Sequence, residues 1–240
     1  MGEHIILFVL GNLFLAQRDS ALSLPPEHEY RFETSEGKYR GIQANEASVK
    51  AIMDRFNESS SPVSRMVYFC PDSCLNPHIP SALLEEAGVS IGAQEDYIST
   101  EQFFLRRIDS YCKANGFNTP AASPIPFNPL RPADSLDSLV AVLDTDALIS
   151  MDITGGPRDA AILLTLAAQI IKLRNEAMAI GDILYANLNG RVLIRQNNTY
   201  KLIDLIDAIN AFANYGQASQ LASIFLSNPY VKASTKQLCL

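Results

Sequence analysis

Ile149-Ser150-Met151-Asp152-Ile153-Thr154-Gly155-Gly156-Pro157-Arg158 decides the fold, because it reads as a short apolar strand, a two-glycine turn and the first turn of a helix. The helix continues through Asp159-Ala160-Ala161-Ile162-Leu163-Leu164-Thr165-Leu166-Ala167-Ala168-Gln169-Ile170-Ile171, apolar on nearly every side. Gly155 and Gly156 carry no side chain, so the backbone there can approach a ligand closely, and the unpaired N–H groups of a helix start favour anions. A phosphate-sized group suits such a turn. Pro157 fits the first turn, where its missing N–H has no intrahelical partner. Arg158 works against the helix dipole in that position, a misfit that a bound anion would offset. Thr154 offers a hydroxyl to a ligand or to the turn, and Asp152 is a strand-end carboxylate that either takes part in chemistry or orients the turn. The plainer alternative is a tight strand-to-helix connection with no ligand.

Outward from this stretch, Ile5 to Leu10 is a continuous apolar run closed by Gly11-Asn12 and then Leu13-Phe14, the pattern of a buried parallel strand with a loop at its carboxyl end. Arg65 to Cys70 is a second strand. The Pro71-Asp72-Ser73-Cys74 that follows is either a loop contacting a base or ribose or a simple proline turn. Residues 17 to 43 form a long polar excursion, with a small hairpin expected around Tyr30 to Ile42. Val49, Ile52, Met53 and Phe56 give helical spacing over Ala44 to Phe56. Ser99 or Thr100 starts a capped helix that ends at Asn115-Gly116. Ala121 to Leu130, with three prolines, is unsuited to the interior of a central strand but allows a short strand around Ile125. Leu136 to Leu143 is a short helix.

Downstream, Ala179 to Leu188 and Arg191 to Gln196 flank Asn189-Gly190, the signal of a two-residue hairpin, expected to close one edge of the sheet. Leu202, Leu205, Ile206, Ile209 and Phe212 make one helix face ended by Gly216, and a short helix runs on through Phe225. Strands alternating with helices over short connections predict an α/β fold: a doubly wound, Rossmann-like, mostly parallel sheet with an antiparallel edge hairpin. In such sheets ligands bind beyond the carboxyl ends of the strands, where Gly11-Asn12, Pro71-Asp72-Ser73 and Thr154-Gly155-Gly156 are expected to converge.

The 240 residues carry a net charge of −7 and contain no run of Lys or Arg, so long DNA or RNA is an unsuitable partner. A small phosphodiester held by local N–H groups and an arginine remains compatible. Cys70, Cys74, Cys112 and Cys239 match no zinc or redox spacing and read as reduced structural thiols. His4 reads as a strand-end residue, and His28 and His78 as loop residues. The dinucleotide fingerprint, the Walker pattern, a nucleophile elbow and a metal-ligand cluster are all absent, so no catalytic residue, metal or cofactor is assigned. The N-terminal apolar run lacks a basic flank and is broken by Gly11-Asn12, which points to a cytoplasmic protein without a membrane partner.

Asp152-Ile153-Thr154-Gly155-Gly156-Pro157-Arg158, the opening strand ending in Gly11-Asn12, and the run from Tyr185-Ala186-Asn187-Leu188-Asn189-Gly190 to Tyr200-Lys201-Leu202-Ile203-Asp204-Leu205 together resemble the CARF domain. That domain is the CRISPR-associated Rossmann-like sensor of type III antiviral systems, and the likeness covers almost the whole chain. It implies a homodimer whose two crevices join across a two-fold axis and bind a cyclic oligoadenylate, with the tetra- or hexa-adenylate expected. A symmetric ring suits an isologous interface independently, and the apolar excess of the helix from Ala160 to Leu173 would serve to pack against its mate.

On this resemblance Thr154, Gly155, Gly156 and Arg158 hold phosphate and ribose, with Asp152, Pro157 and Gly11 part of the same turns. Asn12, Leu13 and Phe14 line the adenine side, and Asp72, Ser73 and Asn187 are further contacts. Members of the family fuse the sensor to an effector domain, for which this chain has no motif. Residues 1–226 are therefore expected to be the sensor, and 227–240 a tail or linker toward an effector. The alternatives are a ring nuclease of the same fold, using ribose 2′-hydroxyl attack on the neighbouring phosphate, and a mononucleotide-binding α/β protein.

Overall fold

In the computed structural model, which describes residues 2–18, 21–32, 37–57, 61–89, 95–143, 146–175 and 177–227, the first apolar run is a central strand. β1 (Glu3–Val9) is buried from His4 onward. Its lack of polar alternation follows from helices covering both faces of the sheet. Two hairpins come next, β2 (Ala16–Arg18) with β3 (Ala21–Ser23) and β4 (His28–Phe32) with β5 (Lys38–Gly41). After α1 (Ala44–Asn57) and β6 (Arg65–Pro71), the chain makes the short α2 (Asp72–Leu75), β7 (Ile79–Pro80), α3 (Ala82–Glu86) and β8 (Tyr97–Ile98). Then come α4 (Thr100–Asn115), β9 (Ala121–Phe127), α5 (Pro132–Val142), β10 (Ala147–Asp152), α6 (Arg158–Arg174), β11 (Ala179–Asn187) and β12 (Val192–Arg195). These elements form one compact unit that ends at Arg195. A second unit begins at Gln196 and holds α7 (Asn197–Tyr215) and α8 (Ser219–Ser227), which pack on each other. Residues 228–240, the bulk of the expected tail, lie outside the described residues.

The main sheet has the order β5-β4-β12-β11-β10-β1-β6-β9. Strands β11, β10, β1, β6 and β9 run parallel, and β12 is antiparallel to β11. This is the α/β, Rossmann-like, mostly parallel sheet that the alternation of elements predicts. Two details differ. The β11–β12 hairpin is not an edge, because β4 pairs in parallel with β12 and β5 lies outside β4. Its turn also spans four residues, since Asn187 pairs with Val192. The Asn187 Oδ1 accepts the N–H groups of Asn189 and Gly190, each at 3.1 Å, and the left-handed residue is Arg191 with φ 51°. A side-chain turn has displaced the tight Asn-Gly turn. The proline-rich β9 runs seven residues as the opposite edge, where one side needs no donors.

The crossover from β1 through α1 leads to one side of the sheet, and that from β10 through α6 to the other. Right-handed crossovers therefore put α1 and α6 on opposite faces and set the switch point between β1 and β10. On the α1 face, Ile6, Phe8, Leu10, Tyr68, Phe104, Ile108 and Leu184 share one cluster, with the Phe8 ring stacked 5.0 Å from Tyr68. On the other face α6 packs on β1 and α5, burying Ala160, Leu164, Ala167, Ala168 and Ile171. Ile162, Leu166 and Leu173 stay exposed on its far side. A smaller cluster of Leu13, Ile79, Leu84, Val89, Ile98 and Phe103 gathers the insertion between β6 and α4.

Candidate functional site

The two glycine turns read from distant parts of the sequence touch at the switch point. A methyl group on Gly11 would lie 3.5 Å from the Gly156 nitrogen and 3.6 Å from the Gly155 Cα. Those are ordinary contact distances, whereas Gly155 and Gly156 are glycine because of close approach. A Cβ on Gly155 would run into the Asn45 carboxamide and lie 2.7 Å from the Val9 carbonyl, and one on Gly156, already at φ 76°, would overlap the Val9 side chain. The N–H groups of Gly155 and Gly156 have no partner among the described residues. Pro157 is the N-cap of α6 rather than a first-turn residue; Arg158 opens the helix and Asp159 brings negative charge to its first turn. The side chain of Arg158 lies outside the described part of the structure.

Asn45, the second residue of α1, ties the turns together. Its Oδ1 accepts the Gly11 N–H at 2.9 Å, and its Nδ2 donates to Asp152 Oδ2 at 2.7 Å. Asp152 is fully buried, and its other oxygen accepts the Thr154 N–H at 3.0 Å and the Thr154 hydroxyl. Thr154 Oγ1 in turn accepts the Ala186 N–H at 2.7 Å and lies 3.4 Å from Ser48 Oγ. A continuous polar chain thus runs from the β1 loop through α1 and β10 to β11. Burial pushes the Asp152 carboxyl up to about 6, although the donors from Thr154 and Asn45 favour its ionised form. Asp152 orients the turn, and the Thr154 hydroxyl is engaged inside the protein.

The start of α1 is itself fixed by a buried carboxylate. Glu46 Oε1 accepts the N–H groups of Ile42 at 3.3 Å and Gln43 at 3.1 Å, while Oε2 takes Lys50 Nζ and Arg107 Nε, each at 3.0 Å. Four donors, two of them cations, make the burial of this charge tolerable. So held, Gln43 donates through Nε2 to the Gly11 carbonyl at 3.0 Å. Asn45, Gln43 and Glu46 were missed from sequence. Their only local signal is a polar cluster at a helix start, which reads as capping.

The remaining predicted residues divide by exposure. Asn12 is exposed, and its Oδ1 accepts from Ser73 Oγ at 3.0 Å and Cys74 Sγ at 2.9 Å, which brings the β1 and β6 loops together. Phe14 is 77% exposed, but Leu13 is only 3% exposed and its side chain belongs to the small cluster, so it does not line the crevice. Leu13 instead contributes its N–H to Thr100 Oγ1 at 3.4 Å and its carbonyl to His78 Nε2 at 3.1 Å. Asp72 is exposed at the head of α2. Asn187 Oδ1 is held by its own turn.

His4 is buried between Ser61 O and Ser150 Oγ, each 3.0 Å from a ring nitrogen, as befits a strand-end residue. Burial also raises the thiols, Cys70 to about 12 and Cys74 and Cys112 to about 11, which keeps them protonated and unreactive. Among the described residues no group of His, Cys, Asp or Glu is placed to hold a metal ion, and no helix is long and apolar enough to cross a membrane. No protein-family model matches the chain, and no curated protein sequence matches it at a significant level.

Proposed function

We propose that this chain is a cyclic oligoadenylate-binding sensor of the CARF type, a cytoplasmic homodimer that controls an attached effector activity in type III CRISPR defence. The observation that carries the reading is the contact of the Gly11 and Gly155-Gly156 turns at the switch point, with two glycine N–H groups unpaired beside the start of a 17-residue helix. Such a place favours an anionic phosphodiester. The polar chain from Gly11 to Ala186 links the β1 loop to β11, so a ligand that binds one arrangement of the turns more tightly shifts the population of that arrangement.

Sensing is favoured over cleavage by the state of the acceptors. Attack by a ribose 2′-hydroxyl is helped by a group that takes its proton. Asp152, the carboxylate of the central turn, is fully buried and already accepts three hydrogen bonds. The test is calorimetric titration with cyclic tri-, tetra- and hexa-adenylate, followed by chromatography of the recovered ligand. Tight binding of the tetra- or hexa-adenylate, recovered intact, is expected. Recovery as linear product would make the chain a ring nuclease, and binding of none would overturn the proposal. Arg158→Ala is expected to weaken binding by about tenfold or more, the loss of a charge-assisted contact. Unchanged affinity in a folded variant would remove Arg158 from the phosphate site.

A further inference from the structure

The β1 loop carries its hydrogen-bond acceptors already occupied from within. The Gly11 carbonyl accepts from Gln43, and the Leu13 carbonyl meets His78. Asn12 continues the pattern in its side chain. Ser73 Oγ at 3.0 Å and Cys74 Sγ at 2.9 Å both donate to Oδ1, so the carboxamide oxygen is turned inward and Nδ2 outward. Nδ2 then has no partner among the described residues, on an exposed residue that directly follows Gly11 in the chain.

We infer that Asn12 is a specificity-determining residue that acts as a hydrogen-bond donor only, so that the ligand atom it meets is an acceptor, a phosphate oxygen or an unprotonated ring nitrogen. This inference rests on the proposed crevice. An asparagine free to use both ends of its amide reads adenine by accepting from the exocyclic amino group while donating to the ring nitrogen beside it. With Oδ1 held by Ser73 and Cys74, Asn12 lacks that option. The exocyclic amino group of a base is therefore not recognised at this position, and ligands that place a donor here are disfavoured because two donors face each other. Ser73 is the positioning residue, acting through Asn12 rather than on the ligand.

The experiment compares wild type with Asn12→Ala, Asn12→Asp and Ser73→Ala, each checked for an unchanged melting temperature, using cyclic tetra-adenylate, cyclic hexa-adenylate and inorganic phosphate as probes. Alanine removes a donor, whereas aspartate keeps the oxygen held by Ser73 and puts an anionic acceptor where the donor was. Asn12→Ala is expected to weaken binding about fivefold to tenfold and Asn12→Asp by at least about a hundredfold. In wild type the Asn12 side-chain amide protons should shift downfield in the NMR spectrum on ligand addition, and in Ser73→Ala that shift should shrink. Equal losses for alanine and aspartate, or amide protons that do not move, would overturn the role of Asn12 while the sensor reading stands. Binding of phosphate alone, with the same ranking of variants, would overturn the sensor reading and leave Asn12 a donor to anions. Binding of no probe would overturn both.

Discussion

Gly156 is the residue least able to change. Its φ of 76° and its contact with Val9 both exclude a Cβ, so Gly156→Ala is expected to cost about 2 kcal/mol or more, read as a lower urea midpoint. Asp152 gives a prediction of a different kind. Its folded value of about 6 lies above its ordinary 3.8, so its contribution to stability is fully present below about pH 4 and is lost as the pH rises through about 6. Asp152→Asn should remove that fall, seen by comparing urea midpoints of the two proteins from pH 4 to pH 7. The slope is the readout, because the variant also carries a constant penalty where its new amide faces that of Asn45. The same residues show what sequence reveals. Gly155 and Gly156 were legible because a glycine pair between strand and helix has a local cause. Asn45 was not, because its partner Asp152 lies 107 residues away and nothing local distinguishes it from a helix cap.

At the scale of elements, legibility follows the range of the interaction. The capping box of α4 closes within four residues: Ser99 Oγ accepts the Gln102 N–H at 3.1 Å and the Gln102 side chain accepts the Ser99 N–H at 2.9 Å. Ser99→Ala should therefore cost about 1 kcal/mol, measurable by thermal unfolding. The corner between β5 and α1 depends on distant partners, since Glu46 gathers Lys50 from its own helix and Arg107 from α4. Glu46→Gln would leave the buried Lys50 without its anion, while Arg107 keeps Glu27, and is expected to destabilise by about 3 kcal/mol. Among the described residues the place of β4 beside β12 rests on two residue pairs, Arg31 with Val192 and Phe32 with Leu193, so the hairpin could be read but its neighbour could not.

For the whole molecule, the exposed row of Ile162, Leu166 and Leu173 on α6 is the face on which the proposed homodimer would close. Leu166→Glu combined with Leu173→Glu is expected to yield monomers by light scattering and to weaken cyclic oligoadenylate binding, while leaving the far-ultraviolet spectrum unchanged. The order of the sheet has a consequence for how the protein is made. β1 sits between β6 and β10, and from Val9 the ribosome must add residues through Ala147 before β10 exists. At typical rates of synthesis that interval is roughly 7 to 30 s. For that time one side of an almost wholly apolar strand is an unpaired edge, open to pairing with another nascent chain. The same strand that places Gly11 against Gly155 and Gly156 in the finished protein is, during translation, the segment most in need of a chaperone.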